Sequence, residues 1–92
     1  MLIKVTQAHI DNAKYNDGYS CPIANACNDT DAFEHDLGQS KVYVEGRRVW
    51  KWKSTVGFKL PLVAKAFIQA FDARRKVEPF EFEIDLDSPK FR

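Results

Sequence analysis

Arg47-Arg48-Val49-Trp50-Lys51-Trp52-Lys53 interleaves four cations with two indoles, and no other segment combines residue types so suited to chemistry. Lysine and arginine hold phosphates, and indole faces stack on unpaired bases, so the composition suits a nucleic acid. Strand alternation sets these two demands against each other. A hairpin turning near Gly46 through an even-numbered loop puts Tyr43, Arg48, Trp50 and Trp52 on one face. Val42, Val44, Arg47, Val49, Lys51 and Lys53 fall on the other. The apolar area of an indole predicts that the Trp pair is core. Lys51 and Lys53 are then expected to meet phosphate, or to pair across strands with Glu81 and Glu83. A second cluster, Arg74-Arg75-Lys76, closes a helix, where it complements the helix dipole or joins the hairpin cations in one patch.

The remaining candidates are weaker. Cys21, Cys27, His9 and His35 are the residue types of a zinc site, but C-x5-C exceeds the usual ligand spacing and no H-x3–5-H pair exists. A small buried cysteine is the plainer expectation for each thiol. No basic helix start or glycine loop is aimed at either of them, so a Cys–His nucleophile has no support. Asp29, Asp31, Glu34 and Asp36 miss the calcium-loop pattern. The four glycines are scattered singly, so no phosphate cradle forms. The expectation is a protein that is not an enzyme, with no metal, cofactor or small-molecule substrate.

The elements that must position these residues follow from periodicity. Leu2 to Val5 reads as a strand, with Thr6 capping a brief helix to about Lys14. Asn16-Asp17-Gly18 reads as a turn in which glycine takes the positive φ. Ser20 to Asn28 reads as a second short helix with Pro22 in its first turn. After a polar, acidic stretch to Gln39 comes the hairpin. Pro61 opens the longest helix, about Leu60 to Lys76, with Val63, Phe67, Ala70 and Phe71 as its apolar stripe. Phe80, Phe82, Ile84 and Leu86 alternate with acidic residues, the mark of a half-buried strand. The expected fold is α+β and two-layered: an antiparallel sheet of about four strands packed on one long helix and two short N-terminal helices. Trp50, Trp52, Phe80, Phe82 and Ile84 would meet Val63, Phe67 and Phe71 in one core.

Ninety-two residues fit one domain, and 45% hydrophobic with 29% charged residues is the balance of a folded chain. No apolar run is long enough to span a bilayer, and two cysteines suit a reducing cytoplasm. The net charge of +1 conceals a division: residues 1–40 carry −4, residues 41–76 carry +8 and residues 77–92 carry −3. A basic middle between acidic ends fits a localised anionic partner or internal pairing.

Val5-Thr6-Gln7-Ala8-His9-Ile10-Asp11-Asn12-Ala13, Cys21-Pro22-Ile23-Ala24, Leu60-Pro61, Phe71-Asp72 and Val77-Glu78-Pro79-Phe80-Glu81-Phe82 occur in that order. Over nearly the whole chain this resembles a family of small phage, prophage and actinobacterial proteins. Members often carry a second cysteine three residues before the Cys-Pro, where this chain has Gly18. The resemblance implies a phage-type accessory protein and no particular reaction. In size and character the chain is also similar to anti-CRISPR proteins. By that analogy it is expected to be a monomer in the host bacterial cytoplasm that docks on an RNA-guided nucleoprotein complex and blocks target DNA. Arg47, Arg48, Lys51, Lys53, Arg74, Arg75 and Lys76 would meet the protein and its guide RNA. The alternative is an autonomous single-stranded nucleic-acid-binding domain.

Overall fold

A computed structural model describes residues 1–30, 42–45, 48–51, 56–85 and 87–91. Among them are three helices and six strands that form two antiparallel sheets, an α+β fold. The first sheet pairs β1 (Leu2–Val5) with β5 (Phe80–Glu83). The second runs β2 (Val42–Glu45), β3 (Arg48–Lys51), β4 (Val56–Lys59) and β6 (Lys90–Phe91). The single sheet expected from the sequence is thus divided. Glu81 lies opposite Lys4, and Glu83 opposite Leu2, so the acidic strand does not pair with the hairpin. Its alternation is as read: Phe82 is buried, Phe80 half-buried, and Glu81 and Glu83 are exposed.

The element between the sheets is α2 (Pro22–Asn28), not the long helix. Cys21 caps it through a bond from the Ala24 N–H to Sγ (3.4 Å), and Pro22 occupies the first turn where its missing N–H is harmless. Pro22, Ile23, Ala24, Ala26 and Cys27 are all buried, which leaves the helix no solvent stripe wider than a few residues. It packs against β1, β2, α1 (Gln7–Asp11) and α3 (Leu62–Asp72). Ile3, Val5, Val42, Val49, Phe58, Leu60, Phe67, Phe71, Phe82 and Ile84 surround it to form the core.

The longest helix, α3, is shorter than expected at both ends. Pro61 is its N-cap and Asp72 its last residue. Val63, placed on the apolar stripe by periodicity, is 54% exposed, whereas Ala64 is fully buried. Arg74 takes φ 61°, and the Arg75 and Arg74 N–H groups bond the carbonyls of Ala70 and Phe71, both at 2.9 Å. That is a Schellman stop built on arginine instead of glycine. Arg74, Arg75 and Lys76 therefore lie beyond the helix. Asn16, not Gly18, takes the positive φ of the first turn, at 54°. Gly18 is required for a different reason: a Cβ there would lie 2.0 Å from the Val44 carbonyl oxygen, so neither cysteine nor alanine fits.

Candidate functional site: the outer face of the four-stranded sheet

The hairpin pairs Tyr43 with Trp50, Val44 with Val49 and Glu45 with Arg48, which keeps Tyr43, Arg48 and Trp50 on one face as expected. Which face is inward is reversed. Val42 and Val49 are buried in the core with Phe58, which pairs with Val49 on the same side. Short β-branched side chains let β2 approach α2 closely, as an indole would not. Trp50 is buried too, at 6% exposure, yet lies outside the core cluster. It covers Gly57, its partner on β4, so closely that a Cβ there would come within 2.5 Å of the ring. The buried tryptophan was read correctly and its neighbours were not. Trp52 lies outside the described residues.

The outer face thus carries two rows. One holds Glu45, Arg48 and Lys59 across β2, β3 and β4, and the next holds Tyr43, Trp50, Gly57 and Lys90 across β2, β3, β4 and β6. The Arg48 guanidinium lies over the Trp50 ring, 5.5 Å from its centroid. A cation so placed is held by the ring quadrupole and by packing of its own stem. Tyr19 stacks on Tyr43 at 5.1 Å, which extends the aromatic row past the edge strand.

Of the residues expected to bind a partner, the structure places Arg48 here. Lys51 stands opposite Val42 in the register. Arg47 and Lys53 lie outside the described residues. Arg74 belongs to a second place, over the Tyr15 ring at 4.9 Å, and Lys76 pairs with Glu78 at 3.7 Å in full solvent. Lys59 and Lys90 were missed. Both are exposed, and only the register of a non-local sheet brings them beside Arg48.

The sequence reading also missed a pair with the residue types of acid–base chemistry. His9 Nε2 lies 2.6 Å from Asp29 Oδ2, and His9 Nδ1 accepts the Thr6 N–H at 2.9 Å. The His9 N–H returns a bond to Thr6 Oγ1 at 3.3 Å, which completes a capping box with histidine in the place of glutamate. With Nδ1 accepting from the backbone, the network assigns the ring proton to Nε2, donated to Asp29. Both nitrogens are thereby occupied in capping α1 and tying it to α2. The spacing Thr6-x-x-His9 was the available signal for the cap.

The thiols are equally committed. Burial pushes the Cys21 thiol up to about 11, with a smaller push from the Asp72 charge, against partial relief from backbone N–H groups. Cys27 is raised further, again by burial first and then by Cys21. Near neutral pH neither is a thiolate, so neither has the form of a nucleophile or metal ligand. Among the described residues no three His, Cys, Asp or Glu side chains gather where a metal ion would need them. His35, Asp31, Glu34 and Asp36 lie outside the described residues. No helix among the described residues is long and apolar enough to cross a membrane.

Comparison with known proteins finds no matching family model, curated protein or solved structure.

Proposed function

We propose that this is a non-enzymatic, phage-type docking protein, an anti-CRISPR-like inhibitor that sets its outer sheet face on the nucleic acid of a host RNA-guided complex and blocks target DNA sterically. The observation that carries the reading is the company Arg48 keeps. It shares a face with Lys59, Lys90, Tyr43 and Trp50; the acidic strand pairs with β1 and not with the hairpin, and Glu83 and Asp85 line a pocket beside Lys59 and Lys90. Cations backed by a rigid sheet and an aromatic row suit a phosphate backbone held in fixed form by a protein. The charge division of the chain fits such a partner better than it fits coating of bare DNA.

The test uses a panel of purified effector complexes, each with and without its guide. The tagged protein is expected to retain a guide-loaded complex, to bind the guide-free form more weakly, and to abolish that complex's shift of target DNA. The triple variant Arg48→Ala, Lys59→Ala, Lys90→Ala is expected to fold, because Lys59 and Lys90 are exposed charges worth about 0–1 kcal/mol each and the half-buried Arg48 forfeits its contact with the Trp50 ring, worth about 0.5–1 kcal/mol, and it is expected to lose the capture. A folded triple variant that still blocks target binding at the wild-type concentration overturns the reading.

A further inference from the structure

The turn between α1 and α2 carries a second arginine-on-aromatic arrangement. Tyr15 stacks on Phe71 of the core at 4.7 Å, and the Arg74 guanidinium lies over the same ring at 4.9 Å. Tyr15 and Tyr19 nevertheless keep 47% and 56% of their surface open. Both belong to one closed turn. The Lys14 N–H bonds the Ser20 carbonyl at 3.0 Å across its base. The Asn16 N–H bonds Asp72 Oδ1 (2.9 Å), which ties it to the end of α3, and the Val44 N–H bonds the Gly18 carbonyl (2.8 Å), which ties it to β2. The tyrosines are four positions apart in the chain, so their Cα atoms are at most about 14 Å apart, a span of about two or three nucleotides.

Around the turn three cations stand with two carboxylates. Lys14, Arg74 and Arg75 are exposed, while Asp17 and Asp72 accept backbone N–H bonds from Tyr19 and Asn16. The backbone of Arg74 adds an independent mark. A left-handed residue closing a helix is ordinarily glycine, and arginine there is strained. The same residue carries the guanidinium that lies over Tyr15. A stabilising glycine is forgone at the one position where arginine completes the surface.

We infer that this turn and Arg74 form a stacking platform for an extended single strand of nucleic acid, continuous through Tyr19 and Tyr43 with the outer sheet face. Tyr19 takes one unpaired base. The guanidinium of Arg74, weakly hydrated and offering its N–H edge, takes a second base or its phosphate. Because the turn is already tied at its base and on both sides, little ordering is needed on binding. The inference rests on the docking reading for the chemistry of the partner, and it adds the strandedness and the residues that read it.

The probe is a fluorescein-labelled 15-nucleotide oligo(dT) or oligo(U), titrated by anisotropy at low salt against the whole chain, with a duplex of equal length beside it. The wild type is expected to bind the single strands several-fold more tightly than the duplex. Tyr19→Ala is expected to weaken binding about tenfold. Arg74→Gly is expected to weaken it about fivefold and to lower the log–log salt slope by about one, while its denaturation midpoint stays or rises. Loss of affinity without loss of stability separates a binding role from a structural one. If Arg48→Ala weakens binding but Tyr19→Ala and Arg74→Gly do not, the sheet face stands and the platform is overturned. Equal affinity for the duplex, no measurable binding, or displacement by poly-glutamate as effective as by unlabelled oligonucleotide also overturns it.

Discussion

The joint between α1 and α2 and the outer face of the four-stranded sheet invert what their residue types suggest. The joint gathers His9, Asp29, Cys21 and Cys27, the residues of acid–base and thiol chemistry, and engages each in structure. Among the described residues the sheet face has no histidine or cysteine, yet it sets Arg48 over Trp50 and places Lys59 and Lys90 on the same side. The difference lies in what each group already touches. Imidazole nitrogens that cap a helix, and thiols kept protonated by burial, have no capacity left for a substrate. A cation over a ring keeps its N–H edge for an outside partner.

The largest expected effect belongs to the sheet. Trp50→Ala should cost about 3–5 kcal/mol in chemical denaturation, as truncation of a buried aromatic does, although the ring stands outside the core cluster. A loss below 1 kcal/mol would mean that the outer face has no packing role. Gly18→Ala comes next, at about 2–3 kcal/mol, because the new methyl meets backbone and not a mobile side chain. Protection of the Val44 amide from hydrogen exchange should fall in the same variant.

For the joint, His9→Ala should cost about 1–2 kcal/mol, since it removes a cap and the bond to Asp29 together. Asp29→Asn should cost less, because an amide oxygen still accepts the Nε2 proton. Equal losses in the two would show that the cap contributes nothing. The thiols give a pH signature. Both are raised from an ordinary value of 9.0, so the unfolded chain releases these protons first. Their contribution is whole below pH 9 and falls as pH rises through about 11, by about 1 kcal/mol per thiol for each pH unit above 9. Cys21→Ala with Cys27→Ala should flatten this alkaline loss, and reaction with a thiol reagent at neutral pH should be slow in the native wild type. The smallest effect is a gain: Arg74→Gly relieves a left-handed arginine and loses its contact with Tyr15, a net of about 0.5 kcal/mol in favour of the fold.

What could be read in the sequence was local. Thr6 and Pro22 announced their helices, parity divided the hairpin into its two faces, and the alternation of Phe80 and Phe82 with Glu81 and Glu83 gave a strand with a buried side. What could not be read was non-local or required a comparison of two apolar faces. The hairpin offers valines on one side and aromatics on the other, and ring area favoured the wrong one. Flat packing against α2, with an indole lying over Gly57, decided the other way. Nothing in β5 states that its partner is β1 and not β3. Position 74 holds arginine and not the glycine that marks a helix end, so the helix was expected to run to Lys76. Of the site, Arg48 was legible. Lys59 and Lys90 reach it only through strand pairing, and Tyr15 and Tyr19 only through the ties of their turn.

The central claim is that the partner meets the outer sheet face and the tyrosine turn, and not the joint. A ¹⁵N correlation spectrum of the whole chain, titrated with single-stranded oligo(U), addresses this residue by residue. Shifts are predicted at Tyr19, Tyr43, Arg48, the Trp50 indole N–H, Gly57 and Arg74, with His9, Asn25 and Asp29 unmoved. Shifts confined to His9, Asp29 and their neighbours, with the Trp50 indole N–H unmoved, would contradict the account.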